Sequence, residues 1–407
     1  MTQGSPTSIR VAIACGGTGG HLFPGLAVAE RLVSRGAAVT LLISPKEVDQ
    51  EAVKSVEDMA IVTLPAVGLT EGKRLAFFRA AVRSYRATKR LFRETPVQAA
   101  LAMGGFTSAP PILAARRFGA RAFLHESNSI PGRANRWLAC LVDRAFVGFP
   151  GAVARLRTKS VTVTGTPVRP QFSRQEQRAA RAALGLNSTD PVILVTGGSQ
   201  GASGINSLVE RSLPLLAKEV PGWQWFHLTG PADAEKMKHA YAASNVRAVV
   251  HPFFDKMEQA LGAATVAVSR AGASSLSELA AMRLPAILVP YPAAVDNHQY
   301  HNACAFEESG AARVLEQGGA TPEVFSKLLM ELVRDENGRA EIQNALAKWH
   351  APAAAEEIAD VILKSVGVEA DEQAGASAHD RTGITKSGTK PGASLRRLPQ
   401  ELGGTPA

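Results

Sequence analysis

The sequence predicts an α/β protein built from two doubly wound parallel sheets. Short apolar runs rich in β-branched residues alternate with amphipathic segments of helical length, a pattern typical of parallel strands covered by helices on both faces. The alternation is interrupted at Thr166 and Pro167 and then restarts. In each half, the first apolar run leads into a glycine-rich turn and a helix. We therefore expect a boundary between two such domains near residues 165–169.

The apolar runs define the predicted strands. In the first half they lie at 11–15, 38–44, 61–67, 97–103, 121–125, 145–149 and 161–165, and in the second half at 192–196, 225–229, 246–250, 266–269 and 286–290. Amphipathic segments such as 23–34 and 110–118 indicate the intervening helices. A last helix is predicted at 354–365. Residues 367–407 contain no aromatic side chain and are rich in small and polar residues, so we expect a disordered tail there.

Length and composition restrict the class of protein. The 407 residues suffice for two or three domains. Three scattered cysteines exclude a disulfide framework and a zinc cluster, and they indicate a reducing, cytoplasmic environment. No apolar stretch reaches the roughly 18 residues needed to span a bilayer, and the first residues do not resemble a signal peptide. The net charge of +9 favours an anionic partner, which could be nucleic acid, a membrane surface or a phosphorylated substrate.

Three glycine-rich turns follow predicted strands: GGTGG at 16–20, GGFTS at 104–108 and GGSQG at 197–201. Such turns let backbone N–H groups approach an oxyanion at the start of a helix. None has the dinucleotide spacing or the lysine of a P-loop, which disfavours dehydrogenases and NTPases. Each alone could be a plain tight turn. Together, at the carboxyl ends of parallel strands, they predict a ligand cleft.

The segment SRAGASSLSE at 269–278 is the strongest local signal. Small residues at a helix start suit a diphosphate, and the carboxylate of Glu278, one turn later, could accept both hydroxyls of a ribose. Alternatively, Glu278 is a solvated residue or caps the helix with Ser274 or Ser275. The later segment DNHQY at 296–300 offers amide and carboxylate groups suited to sugar hydroxyls.

His21 follows the first glycine turn, where an imidazole could contact a phosphate or take a proton, or merely cap the helix. Another polar segment, HESN at 125–128, closes a strand. No Asp-x-Asp and no cluster with metal-ligand spacing occurs, so we expect no metal ion, and leaving-group charge would fall to helix dipoles and side chains. A serine hydrolase is disfavoured because no G-x-S-x-G elbow is present.

Residues 73–93 include eight basic residues and no acidic one. On a helix, the arginines form one stripe and apolar residues form a neighbouring stripe, which suits contact with anionic lipid headgroups. The predicted contact residues are Lys73, Arg74, Leu75, Phe78, Arg79, Val82, Arg83 and Arg86. Alternatively, the apolar stripe packs on the sheet and the arginines are simply solvated. A nucleic-acid partner is not favoured, since no recognised binding motif accompanies the charge.

Taken together, these motifs resemble the MurG family of peptidoglycan glycosyltransferases. The resemblance rests on GGTGGH at 16–21, FPGLA at 23–27, GGF at 104–106, HESN at 125–128, GTPVR at 165–169, GGSQGA at 197–202 and the segments 269–278 and 296–303. It covers residues 9–365. Phe106 and Ser127 depart from the tyrosine and glutamine that are common in the family.

The resemblance implies a GT-B fold: two Rossmann-like domains facing across a cleft, with the last helix crossing back to the first domain. The expected domains are 9–166 with 347–366, and 167–346. The implied reaction is inverting transfer of N-acetylglucosamine from UDP-N-acetylglucosamine to lipid I, without a cofactor, at the cytoplasmic face of the bacterial inner membrane. Other cell-wall and division enzymes are implied partners.

The resemblance also implies site residues. The donor would contact Thr18, Gly19, Gly20, Asn128, Arg169, Ser199, Phe254, Ala273, Ser274, Ser275, Leu276, Ser277, Glu278 and Gln299. The acceptor diphosphate would lie on Gly16, Gly17, Gly104, Gly105 and Phe106. His21 and Glu126 are both candidates for the base that activates the acceptor. Three alternatives stay open: a diacylglycerol glycosyltransferase, a UDP-N-acetylglucosamine 2-epimerase, and a non-catalytic nucleotide-sugar-binding scaffold.

Overall fold

A computed structural model describes residues 8–54, 56–66, 68, 74–198 and 201–379, with side chains for all of these except 74 and 368–379. The predicted site residues Lys73 and Ser199 lie outside the described residues, as do residues 380–407. Residues up to Val366 form one compact unit.

Seven parallel strands form the first sheet. They are β1 (Arg10–Ala14), β2 (Ala38–Ile43), β3 (Ala60–Thr63), β4 (Ala99–Ala102), β5 (Arg121–Glu126), β6 (Arg144–Val147) and β7 (Val161–Val163). Their order is β3-β2-β1-β4-β5-β6-β7, with β1 in parallel register against both β2 and β4.

The second sheet has six parallel strands in the order β10-β9-β8-β11-β12-β13. They are β8 (Val192–Thr196), β9 (Gln224–Leu228), β10 (Ala248–His251), β11 (Val266–Ser269), β12 (Ala286–Leu288) and β13 (Arg313–Val314). The two sheets confirm the predicted α/β class. Only β13 was missed: it has two residues and no apolar run. Several predicted strands were too long because buried apolar residues such as Leu64 and Met103 continue past the strand end.

Fourteen helices are described. They are α1 (Gly19–Ser34), α2 (Glu47–Ala52), α3 (Arg74–Glu94), α4 (Ala109–Arg117), α5 (Arg133–Leu138), α6 (Gln177–Ala183), α7 (Ser203–Glu219), α8 (Ala234–Ala243), α9 (Met257–Ala263), α10 (Ala273–Met282), α11 (His298–Glu308), α12 (Pro322–Arg334), α13 (Glu336–Trp349) and α14 (Ala354–His379). None of the helices in the described ranges is long and apolar enough to cross a bilayer.

The strand order reverses at one point in each sheet. In the first sheet the chain moves from β1 outward to β3 on one side, and continues from β4 on the other. In the second sheet, β8 and β11 flank the equivalent point. The carboxyl ends of such strand pairs leave a crevice between their loops. The glycine turns at 16–20 and 104–108 follow the first pair, and the segments 197–201 and 270–273 follow the second pair.

Side chains alternate across the first sheet as the two-residue period of a strand requires. Val11 and Ile13 belong to the apolar cluster on one face, whereas Ala12 and Ala14 belong to the cluster on the other. A separate cluster fills the second domain.

The last helix, α14, packs on the first sheet. Ile358 and Ile362 are fully buried in the same cluster as Val11, and Arg35 forms ion pairs with Glu356 and Asp360. The first domain is therefore completed by residues from the end of the chain. The helix continues to His379, beyond residue 365, where we expected it to end and the tail to begin.

Candidate functional site

A cavity of about 1600 Å³ lies between the two domains. Its wall includes several predicted site residues: Thr18, Gly20, His21, Gly104, Gly105, Phe106, Glu126, Asn128, Ala273 and Gln299, together with Phe78, Val82 and Arg86 of α3. The described His, Cys, Asp and Glu residues form no cluster that could hold a metal ion.

Other predicted residues lie off this wall. They are Gly16, Gly17, Gly19, Arg169, Phe254, Ser274, Ser275, Leu276, Ser277, Glu278, Leu75, Arg79 and Arg83. The side chain of Leu276 is fully buried in the core of the second domain, so only its backbone could face a ligand. The Ser277 hydroxyl donates to the carbonyl of Ala273 within α10, at 2.9 Å.

The first two glycine turns are in direct contact. The Thr107 hydroxyl donates to the carbonyl of Gly16 at 2.7 Å. A Cβ on Gly17, whose φ is +115°, would lie 2.9 Å from the ring of Phe106. A side chain at Gly17 would therefore force these turns apart.

Residues 44–49, which follow β2, contact and support the first glycine turn. The carboxylate of Asp49 is fully buried and accepts hydrogen bonds from the N–H groups of Gly17 at 2.6 Å and Ser44 at 3.1 Å. The ammonium of Lys46 donates to the carbonyl of Gly17 at 2.8 Å and lies 5.3 Å from the centre of the Phe106 ring. Neither Lys46 nor Asp49 was predicted as a site residue, because the segment 44–49 contains no glycine motif.

His21 lies against the second glycine turn. A Cβ on Gly104 or Gly105 would approach its ring to 2.9 Å, and both glycines have positive φ. The imidazole Nδ1 is buried and has no hydrogen-bond partner in the described part of the chain. Burial lowers the pKa of His21 to about 4; the nearby charges of His298 and Lys46 also lower this pKa, whereas Asp49 and the backbone of Met103 raise it. The imidazole is therefore neutral at physiological pH.

Glu126 is buried and accepts four hydrogen bonds. Its Oε1 accepts from the backbone N–H of Asn128 at 2.8 Å and from the Asn128 side chain at 3.1 Å. Its Oε2 accepts from the N–H of Gly132 at 2.8 Å and the amide of Asn135 at 2.9 Å. Burial raises the pKa of Glu126, against the effect of these donors. The carboxylate thus organises the loop from 126 to 135.

Asn302 of α11 joins the two domains. Its amide is fully buried and accepts from the N–H of Ser129 at 2.9 Å. It donates to the side-chain carbonyl of Asn128 at 3.0 Å and to the backbone carbonyl of Ala271 at 3.2 Å. Both ends of the Asn128 amide are therefore occupied, by Asn302 and by Glu126. Asn302 was not predicted as a site residue. Its position one helical turn after the predicted Gln299 could have indicated it.

A second link between the domains is ionic. Asp296, whose φ is +52°, lies between two arginines of α5: Arg136 at 2.6 Å and Arg133 at 3.3 Å. Partial burial would raise the pKa of Asp296, but the two guanidinium groups lower it below its ordinary value. These ion pairs hold α5 against the segment that precedes α11.

Two helices begin at the cleft with free backbone donors. At the start of α1, the N–H groups of Gly19 and Gly20 have no acceptor among the described residues, and at the start of α10 the same holds for Ala273 and Ser274. The Ser274 hydroxyl donates to the carbonyl of Gly20 at 3.3 Å. Unpaired N–H groups at a helix start, with the helix dipole, favour anions.

Glu278 and Arg169 lie near each other on the side of the second domain. The guanidinium of Arg169 is sandwiched by Phe23 at 4.4 Å and Phe172 at 5.3 Å. Burial raises the pKa of Glu278 to about 7, opposed by the positive charge of Arg169 and reinforced by Glu258. The positive charge of Arg169 therefore acts on the Glu278 carboxyl, although the two side chains form no close ion pair.

Phe254 and Gln299, which were also predicted to contact the donor substrate, have identifiable neighbours. The ring of Phe254 packs edge-on against Phe226, with centres 5.4 Å apart, and beside His251 at 5.8 Å. The side-chain oxygen of Gln299 accepts from the N–H of Tyr291 at 3.0 Å, which leaves its NH₂ group for a ligand.

Helix α3 presents both of its predicted stripes, with one correction. Leu75 and Phe78 are 62% and 66% exposed, and Arg79, Arg83 and Arg86 are exposed as well. Phe92, which continues the apolar stripe of residues 73–93 in the sequence, is buried in the core. The face that packs inward consists of Ala80, Ser84, Thr88 and Phe92. Trp137 of α5, missed by sequence analysis, is 54% exposed and lines the cavity with Phe78.

Family profiles match both domains. One described as "Glycosyltransferase family 28 N-terminal domain" matches residues 11–147, and one described as "Glycosyltransferase family 28 C-terminal domain" matches residues 192–360. A protein of Xanthomonas oryzae pv. oryzae named "UDP-N-acetylglucosamine--N-acetylmuramyl-(pentapeptide) pyrophosphoryl-undecaprenol N-acetylglucosamine transferase" is 37% identical, over 88% of this chain and 79% of its own length. One of the same name from Prochlorococcus marinus is 36% identical, over 82% of this chain and 91% of its own length.

Solved structures show the same architecture. The crystal structure of Acinetobacter baumannii MurG superposes with a TM-score of 0.69 at 28% identity, covering 88% of this chain and 99% of that chain. A UDP-N-acetylglucosamine 2-epimerase superposes with a TM-score of 0.66 at 13% identity, covering 89% of this chain and 98% of that chain. At such low identity the second likeness concerns the fold alone, which is GT-B.

Proposed function

The chain belongs to glycosyltransferase family 28, and from that premise we propose that it transfers N-acetylglucosamine from UDP-N-acetylglucosamine to the muramyl 4-hydroxyl of undecaprenyl-diphospho-N-acetylmuramyl-pentapeptide (lipid I). The relatives named above carry this activity in their names. The observation that carries the proposal is the meeting of two free helix starts, those of α1 and α10, at one cleft. Such a cleft suits a reaction between two diphosphate-bearing substrates.

The donor fits the second domain. Its diphosphate would accept from the free N–H groups at the start of α10, and Glu278, in its ionised form, would accept both ribose hydroxyls. Arg169 supplies a positive charge near Glu278. The free NH₂ group of Gln299, on the cavity wall, would donate to a sugar hydroxyl.

The acceptor fits the first domain. Its diphosphate would lie at the contact between the glycine turns 16–20 and 104–106. The muramyl 4-hydroxyl then attacks C1 of the donor sugar, the bond from C1 to the UDP oxygen breaks, and the configuration at C1 inverts. The charge that develops on the leaving diphosphate is stabilised by the N–H groups and dipole of α10.

His21 is the better candidate for the base that takes the hydroxyl proton. Its imidazole is neutral at physiological pH and lies on the cavity wall. The oxygens of Glu126 already accept two hydrogen bonds each, which fills the sites available on a carboxylate. We therefore assign Glu126 to holding the loop from 126 to 135 in place.

The exposed surface of α3 and Trp137 would rest on the membrane that carries the acceptor. Leu75, Phe78 and Trp137 would enter the lipid interface while Arg79 and Arg83 meet anionic headgroups. The enzyme would then be peripheral at the cytoplasmic face of the inner membrane. Its product would supply wall growth, and through it cell shape and division.

A two-substrate assay tests the proposal. Radiolabelled UDP-N-acetylglucosamine is incubated with lipid I, and in parallel with diacylglycerol vesicles, each with and without EDTA. We expect label on lipid I alone, unaffected by EDTA. Label on diacylglycerol would make the protein a different lipid glycosyltransferase. Free N-acetylmannosamine or UDP-N-acetylmannosamine would make it an epimerase, and binding of the donor without turnover would refute catalysis.

A further inference from the structure

We propose that Lys46 is a ligand of the acceptor's diphosphate, supplied to the first glycine turn by the neighbouring strand β2. The inference rests on the proposed function, because it names an additional contact of the acceptor at that same site. It adds a side-chain cation to a subsite otherwise formed by backbone N–H groups.

The position of Lys46 follows from the topology. Strand β2 lies beside β1 in the sheet, so the loop after β2 adjoins the glycine turn after β1. Within that loop, the hydroxyl of Ser44 accepts from the N–H of Lys46 at 3.3 Å, which fixes the backbone. The side chain then extends to the carbonyl of Gly17, at 2.8 Å. A lysine is thus held against the turn from its own sheet.

The charge of Lys46 is held by neutral groups. Its ammonium contacts the Gly17 carbonyl and the face of the Phe106 ring at 5.3 Å. Other lysines, such as Lys54 and Lys238, form ion pairs with glutamates at 2.5 Å and 2.7 Å. The nearby carboxylate of Asp49 is instead engaged by the N–H groups of Gly17 and Ser44 and the Ser44 hydroxyl. A carbonyl and an aromatic face position a cation without neutralising it, so the charge of Lys46 is available to an anion at the turn.

The contact is specific to the acceptor side. Gly17 and Phe106 belong to the two turns that would receive the acceptor diphosphate, whereas the donor diphosphate would lie at the start of α10. An ammonium also has three donors, so Lys46 can keep its bond to Gly17 while donating to a phosphate oxygen. The side chain would therefore link the turn to the ligand.

The test compares Lys46→Met and Lys46→Arg with the wild type, using steady-state kinetics with a short-chain lipid I analogue. We expect Lys46→Met to raise the KM for the acceptor about tenfold to a hundredfold, the range for a lost charge-assisted hydrogen bond, and to leave the KM for UDP-N-acetylglucosamine unchanged. Lys46→Arg should restore most of the affinity. The KM of Lys46→Met should also depend less on salt. Lys54→Met, which removes an exposed lysine just after the end of α2, is the matched control.

Several outcomes would overturn the inference. An acceptor KM within twofold of the wild type would do so, as would equal losses for both substrates, since a merely structural lysine would disturb the whole cleft. Binding of inorganic pyrophosphate, measured by calorimetry with saturating UDP in the donor site, separates this failure from failure of the proposed function. If the wild type transfers nothing to lipid I but binds pyrophosphate more tightly than Lys46→Met does, only the proposed function falls.

Discussion

The carbonyl of Gly20, inside the first turns of α1, accepts a hydrogen bond from the hydroxyl of Ser274 in the other domain, at 3.3 Å. Four residues after Gly20 stands Pro24, which lies within the helix and has no N–H to donate back to that carbonyl. The carbonyl is thereby left for a partner from the facing domain. Pro24 removes one hydrogen bond of α1 and so leaves the Gly20 carbonyl free to contact the other domain.

Ser274→Ala removes this contact. We expect the KM for UDP-N-acetylglucosamine to rise by about threefold to tenfold, because one ordinary hydrogen bond between the two domains is lost at the cleft, with a smaller change in kcat. Steady-state kinetics measure both. Ser365→Ala is the control, since its hydroxyl donates within α14 to Ile362. An unchanged KM would mean that donor binding does not depend on this hydrogen bond.

Asn302→Ala should destabilise the protein. It leaves the partly buried N–H of Ser129, the side-chain carbonyl of Asn128 and the buried carbonyl of Ala271 without this partner, at a cost of about 2–4 kcal/mol in the free energy of unfolding. Thermal unfolding measures the loss as a lower Tm, and both substrates should bind more weakly. The exposed Asn337→Ala should leave the Tm within a degree or so. A Tm of Asn302→Ala equal to the wild type's would contradict the bridging role.

Glu278 predicts a pH dependence of donor binding. Its pKa of about 7 means that the carboxylate takes up a proton as pH falls through neutrality, and the protonated form cannot accept both ribose hydroxyls. Affinity for UDP-N-acetylglucosamine, whose diphosphate diester does not titrate in this range, should fall about tenfold between pH 8 and pH 6. Calorimetry measures this. Glu278→Gln should bind weakly at both pH values, and a slope that persists in this variant would assign it to another group.

The raised pKa of Glu278 also makes the stability of the folded protein depend on pH. A carboxyl whose pKa is raised in the folded state ionises first in the unfolded state, so the penalty is absent below about pH 4.5, grows between about pH 4.5 and pH 7, and is constant at higher pH. Glu278→Gln should therefore raise the Tm at pH 8 and leave it nearly unchanged at pH 4.5. A Tm gain that is equal at both pH values would show that ionisation is not its cause.

His21 and Glu126 should differ in what their replacement alters. His21→Gln should lower kcat by about a hundredfold or more, the usual contribution of a general base, with little change in Tm. Glu126→Gln turns an NH₂ group toward N–H donors, so it should lower the Tm and weaken binding of both substrates. Kinetics and thermal unfolding together distinguish the two. A loss of kcat alone in Glu126→Gln would make Glu126 the base.

The exposed apolar residues of the α3 surface should govern attachment to lipid. Phe78→Ser combined with Trp137→Ser should reduce co-sedimentation with vesicles containing anionic lipid severalfold, while turnover of a detergent-soluble acceptor analogue is retained. Leu215→Ser, which changes an exposed apolar residue of the second domain, is the matched control. Undiminished sedimentation would remove these two residues from the membrane surface.

Much of the framework was predictable because it depends on local sequence. Buried parallel strands require apolar runs, and helix starts that approach a ligand closely require small residues, so the strands and the glycine turns could be read directly. His21 was found because it adjoins such a turn. Each of these features can be recognised from a few neighbouring residues.

The contacts that join the halves were not predictable in the same way. Asn302 meets Asn128 across a separation of 174 residues, and Asp296 meets Arg136 across 160. Nothing in the local sequence around Lys46 indicates that its side chain reaches Gly17. Such pairs arise from the packing of segments that are distant in sequence. The local pattern of a single sequence does not indicate which of these residues meet.

The return of α14 to the first sheet affects the order in which the protein can mature on the ribosome. The first domain is synthesised with part of one apolar face uncovered, since some of the residues that cover it, among them Ile358 and Ile362, are made only after the whole second domain. The nascent chain must therefore carry an unfinished core for most of its synthesis. Premature termination anywhere in residues 167–353 would yield a first domain that lacks its closing helix and is prone to aggregation.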